Sequence, residues 1–216
     1  MGSRPTALTG APADHLTPAI RAAYSDLVSV ILWIDEHSKE IDITGDARSL
    51  IAAGCFDMAL EHQAAIALLV EKQHNGSALA LMRVIAEAFI RGMWIARCAT
   101  DEEVERFQKD NEPQKSLRTL VTEVETAVGN ETDTLSNMVK KQWSTLCSFT
   151  HTGFRQIVRR YSGALLKPNY PDDEVTHALN FAASIGLLAT IELAALSKNL
   201  PLGLATKERA EHFAAQ

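Results

Sequence analysis

Cysteine and strand-like alternation are scarce in this chain, and an uninterrupted membrane-length apolar run is missing. There are three cysteines in 216 residues, Cys55, Cys98 and Cys147, and no C-x-x-C pair. That excludes a zinc knuckle and a thioredoxin-like redox motif. Reduced thiols buried in apolar helical surroundings are expected. The two most apolar runs, 77–99 and 178–197, are broken by Arg83, Glu87 and Arg91 in one and by Asn180, Ser184 and Glu192 in the other. Neither reads as a transmembrane span, so no membrane partner is expected. Residues 1–16 have no apolar h-region. They read as a disordered leader ahead of a domain over 17–216, in a cytoplasmic protein. There is no internal repeat and no low-complexity tract. The net charge of -6 and a pI near 5.6 exclude a protein that coats nucleic acid over its whole surface.

What is present is helical punctuation. Thr17-Pro18 opens a helix that runs to about Ser38. Asp46 caps a second helix to about Gln73, and His74-Asn75-Gly76 reads as the turn that closes it. A third helix, 77–99, follows at once and is apolar nearly all round, the mark of an element at the centre of a bundle. Thr100 to Glu103 is a capping box. Ser116 caps a helix that ends at Gly129-Asn130, and another covers roughly Thr132 to Phe149. Thr150-His151-Thr152-Gly153 reads as a break, with helical spacing again from Phe154 to Tyr161. Asp172 or Asp173 caps a long apolar helix to about Lys198. Pro201 and Gly203 then separate it from a short helix near Thr206 to Phe213. The expected fold is all-α: a single-domain, up-and-down helical bundle with a central antiparallel helix hairpin.

Four features carry possible chemistry. Arg83, Glu87 and Arg91 are spaced four apart on the central helix, with Trp94 on the same side as Glu87. A carboxylate between two guanidinium groups is either a buried ion network that fixes register or the wall of an anion site. The second feature is charge segregation. Met138 to Pro171 holds Lys140, Lys141, Arg155, Arg159, Arg160 and Lys167 and no acid, which leaves -12 on the rest of the chain. Trp143, His151 and Tyr161 are interleaved there, as in a segment directed at phosphates. The bland alternative is a solvated face that pairs with Glu123, Glu125 or Glu131. Third, His151 at the helix break is placed for acid–base work or for holding the kink, and no triad-like pattern surrounds it. Fourth, Glu71 with His74 and Glu174 with His177 have a di-metal spacing. Both lie at helix ends rather than inside a bundle, so no metal site is expected. Asp57, Glu61 and His62 read as solvent-facing.

The run Asn75-Gly76-Ser77-Ala78 with Leu81, Arg83 and Glu87, then Thr150-His151-Thr152-Gly153, resembles a group of uncharacterised bacterial all-helical proteins. That group has an LxRxxxE central helix and a later (T/V)HxG element. More distantly the chain is similar to HEPN-like bundles, many of which are RNA-cleaving toxins or defence effectors. The HEPN ribonuclease signature, an Arg followed five to seven positions later by a His, does not occur here. The resulting expectation is a homodimeric binding or regulatory module of a defence or stress system, without a cofactor. It would hold RNA or another phosphate-bearing ligand through Arg83, Glu87, Arg91, Trp143, Thr150, Arg155 and Arg159. Two alternatives stand beside it. One is a HEPN-like metal-independent ribonuclease with His151 as acid–base group and Arg83 or Arg155 on the phosphate. The other is a purely structural or protein-interaction bundle.

Overall fold

A computed structural model describes residues 14–39, 41–111, 115–129 and 134–215. The chain is a single-domain all-α bundle with one small hairpin. Its elements are α1 (Pro18–His37), α2 (Ala47–Glu71), α3 (Asn75–Arg97), α4 (Asp101–Gln108), α5 (Leu117–Val128), α6 (Thr134–Thr150), α7 (Phe154–Val158), β1 (Tyr161–Ser162), β2 (Leu165–Leu166), α8 (Asp172–Leu196) and α9 (Leu200–Ala214). Most of the leader expected over 1–16, together with Glu131 and Thr132, lies outside the described residues. His15 and Leu16 pack on the bundle: the His15 ring bonds the Glu71 carbonyl at 2.7 Å, and Leu16 is buried.

Local side chains set most of the helix starts. Thr17, Asp46 and Ser116 each accept a backbone N–H three residues on, which satisfies a donor the helix leaves orphaned. Thr100 and Glu103 form the reciprocal capping box. Gly129 ends α5 at φ 64°, where a Cβ is disfavoured.

Four boundaries differ from expectation. The turn between α2 and α3 falls at Lys72 to His74, with Gln73 at φ 59°, and Asn75-Gly76 already belong to α3. Gly76 is needed for another reason: a methyl there would overlap the Tyr170 hydroxyl. The helix after the break stops at Val158 and gives way to the β1–β2 hairpin. Pro171, not an aspartate, occupies the N-cap of α8; Asp172 instead accepts the Thr17 hydroxyl at 2.6 Å. Pro201 lies inside the first turn of α9, where its missing N–H costs nothing, and Asn199 caps that helix.

α2 and α3 form the most extensive helix pair, the expected hairpin. α8 returns to pack on α1, α2, α3 and α9, while α5 and α6 cover the other side of α3. α3 is therefore enclosed, which its all-round apolar surface requires. α2 and α8 are long and apolar enough to cross a membrane by length and composition; in the bundle α2 buries one face, and α8 is buried on more than one side around Ile185 to Leu187. Close approach depends on two glycines. Gly92 of α3 faces the buried Phe56 ring, and Gly186 of α8 faces the buried amide of Gln63, whose Nε2 has no hydrogen-bond partner.

Candidate functional site: the Arg83 junction

α3 and α6 bring together residues 68 apart in sequence. Arg83 donates from Nε to Glu87 Oε1 at 2.9 Å and from Nη1 to Cys147 Sγ at 3.5 Å. The same Nη1 contacts His151 Nε2. The guanidinium carbon lies 5.0 Å from the centre of the Trp143 ring, within cation–π range. The arrangement follows from helix geometry. Arg83 and Glu87 share a face at i and i+4, and so do Trp143 and Cys147 on the facing helix, with His151, the first residue past its end, continuing that row through its N–H bond to Cys147 O.

Thr150 locks the two faces in register. Its hydroxyl donates to Leu146 O at 2.9 Å, the ordinary back-bond, and also lies 3.1 Å from Ala80 O on α3. Thr152 then takes φ 55°, a costly conformation for a β-branched residue. The Gly153 N–H bonds Ser148 O at 2.7 Å, so close that a side chain at 153 would strike Ser148. This break leaves His151 exposed at the end of α6. The junction is neither sealed nor bare: the Arg83 and Glu87 side chains are 20% and 32% exposed.

Other expected site residues lie elsewhere. Arg91 sits 5.9 Å from the Phe107 ring of α4. Trp94 is buried and donates to Glu123 at 2.6 Å beneath Lys115, which pairs with Glu103 and Glu123 at 2.9 Å each. Arg159 is held by both oxygens of Glu174, at 2.9 and 2.5 Å. That bidentate pair keeps its guanidinium more firmly protonated than usual. Among the described residues, the acid that pairs with the basic segment at Arg159 is Glu174, from α8. Glu125 is buried instead at the start of α6, accepting the Ser136 N–H at 2.9 Å. Arg155, Arg160, Lys140 and Lys167 are exposed, and the Lys141 side chain lies outside the described residues. The three cysteines are half-buried rather than buried. Cys147 is the residue that sequence reasoning left aside; its i, i+4 spacing to His151 was the available signal.

The model of a family of unknown function, DUF6988, matches residues 56–216, a span that includes α3, α6 and the whole junction. The chain belongs to DUF6988. No curated protein and no solved structure matches it. The DUF6988 span also contains both Glu-x-x-His spacings, and they do not converge. Glu71 accepts the Tyr24 hydroxyl at 3.2 Å and pairs with Lys72 at 2.7 Å, while Glu174 holds Arg159. Among the described residues no group of three His, Cys, Asp or Glu could hold a metal.

His62, expected to face solvent, has its Nε2 buried without a partner, and burial lowers its pKa below the ordinary 6.5. The Lys72 hydrogen bond lowers Glu71 below 4.5. Burial and Glu71 push Tyr24 up to about 12. The linkage signs are opposite at the two ends of the pH scale. A depressed His62 or Glu71 favours the native state above its unfolded pKa, and that contribution is lost as pH falls. A raised Tyr24 favours the native state below pH 10.0, and that contribution is lost as pH rises to about 12. Urea midpoints are therefore expected to fall on both sides of a neutral plateau. His62→Gln should delay the acid decline to the carboxylate range, and Tyr24→Phe should remove the alkaline one. Unchanged limbs in both variants would refute these assignments.

Proposed function

We propose that this protein is a helical binding module, of the regulatory kind used in bacterial defence or stress systems. It holds RNA or another phosphate-bearing ligand at the Arg83 junction. The observation that carries the reading is the contact of one partly exposed guanidinium with an exposed histidine and a half-buried thiol across two helices. Arg83 is always charged, so His151 Nε2 accepts from it and the ring proton sits on Nδ1. A phosphate oxygen arriving at Nη1 displaces that contact. That oxygen accepts the Nη1–H hydrogen bond in place of the imidazole, and the released Nε2, once it binds a proton, donates to a second oxygen. Trp143 holds the guanidinium in place, Glu87 competes with the ligand for part of its face, and exposed Arg155 adds positive charge beside the α6 terminus.

A second reading follows from the same contact. An exposed imidazole beside a guanidinium is what a HEPN-like, metal-independent ribonuclease needs: His151 moves the proton and Arg83 steadies the phosphate. Two assays on one single-stranded RNA separate the readings. Under the first, the RNA binds without being cut, and binding weakens with salt at a log–log slope of about -0.7 per phosphate contacted. Under the second, wild type cleaves and His151→Ala does not. No binding at low salt, or binding indifferent to salt, removes both and leaves a structural bundle.

A further inference from the structure

Among the described residues, a group of uncovered large apolar side chains follows the break after His151. Between α6 and α8, Phe154 is 80% exposed, Tyr161 46%, Leu165 69% and Leu166 74%. A soluble surface rarely gathers so many large apolar side chains in so short a stretch without a partner. The β1–β2 register pairs Tyr161 with Leu166 and Ser162 with Leu165. Successive side chains of a strand point to opposite faces, so the two leucines project from opposite sides of the hairpin. Both are open, and the hairpin therefore stands clear of the bundle on both sides. Its tip, Tyr161 to Leu166, carries no charge, whereas Arg160 directly precedes it and Lys167 directly follows it. The base is anchored. The Asn169 N–H bonds Arg159 O at 2.8 Å, and Arg159 is clamped by Glu174.

We propose that this hairpin is a docking device for an anionic lipid surface. The uncharged tip enters the headgroup–acyl boundary, while Arg160 and Lys167 meet lipid phosphates. Three observations select this occupant. An apolar tip exposed on both faces calls for surroundings that enclose it, as an interfacial lipid layer does. A flanking pair of cations with no acid between Met138 and Pro171 is complementary to an anionic headgroup layer. A second copy docked hairpin to hairpin would bring together two segments without an acid, and neither would offer Arg160 or Lys167 a carboxylate. Nucleic acid offers the two leucines no apolar partner. The expectation of no membrane partner rested on the lack of a spanning segment, which does not bear on a peripheral contact. This proposal is independent of the Arg83 junction.

The test is co-sedimentation of the full chain with vesicles of phosphatidylserine and phosphatidylcholine, against vesicles of phosphatidylcholine alone. Wild type is expected to bind the first and not the second. Leu165→Asp with Leu166→Asp should reduce binding at least about ten-fold, since each leucine loses its apolar transfer. Arg160→Gln and Lys167→Gln should each reduce it about five-fold. The two leucines are exposed, so helical circular dichroism should match wild type and show that folding is intact. Equal binding to both vesicles, no binding, or wild-type binding by the double-leucine variant overturns the proposal. So does an equal loss in Arg83→Gln, which would assign the vesicle to the junction. A change of oligomeric state in the double-leucine variant, without vesicle binding by wild type, would give the hairpin to a second copy instead.

Discussion

Gly92→Ala is expected to destabilise the bundle by about 2 kcal/mol, although alanine is the better helix former by about 1 kcal/mol. The reason is geometric. A methyl at 92 would lie 2.7 to 3.0 Å from three carbons of the Phe56 ring. Phe56 is 0% exposed and packs against Phe89 at a centroid distance of 5.9 Å, so the ring has nowhere to retreat. Overpacking of this kind costs about 1–3 kcal/mol, and it falls on α2 against α3, the most extensive contact in the fold. Gly54→Ala on α2 is the internal control, because nothing lies within 4 Å of its added methyl. That variant should gain up to about 1 kcal/mol. For a chain of this size the melting temperature should fall by roughly 4–8 °C in the first case and rise by a few degrees in the second. Phe56→Leu combined with Gly92→Ala should cost less than the two single changes added together. Strict additivity would mean that the ring and the glycine do not share a contact.

The sequence could reveal the parts of this fold that local chemistry decides. Thr17, Asp46, Thr100 and Ser116 each close their helix start within three residues, so their positions are readable without any tertiary information. The β1–β2 hairpin was hidden because each strand is two residues long, too short for alternation to differ from helical spacing. Pro201 looked like a breaker, yet its position in the first turn of α9 makes it a helix opener. Gly76, Gly92 and Gly186 are silent in sequence, because what each needs is room for a side chain from a distant part of the chain. The same division holds in the candidate site. The Arg83–Glu87 pair follows from i, i+4 spacing. The contact of Arg83 with His151 depends on how α6 docks, and Arg91 turns instead toward α4. Charge counting found the basic segment, but the partner of Arg159 comes from α8, a helix whose first-turn acids looked sufficient as dipole complements.

Arg83→Gln and Glu87→Gln are expected to move ligand affinity in opposite directions, and this separates a binding junction from a structural ion pair. Glu87 occupies part of the guanidinium face that an anion would use, at 2.9 Å. In a partly exposed site its carboxylate repels a phosphate a few ångströms away, screened by water and salt. Removing that charge with an isosteric amide should raise affinity for a single-stranded RNA or a phosphorylated ligand about three- to ten-fold at low salt. Arg83→Gln removes a charge-assisted donor worth about 1.5–3 kcal/mol, so affinity should fall at least about ten-fold. His151→Ala should lie between these, lowering affinity while leaving Arg83 in place. If Arg83 and Glu87 serve only to fix α3 in register, neither amide changes binding. Each then costs only the modest stability of a partly exposed pair, about 1 kcal/mol or less. The sign of the Glu87→Gln effect is the informative quantity. Damage to the fold lowers affinity, and only the loss of a competing carboxylate raises it.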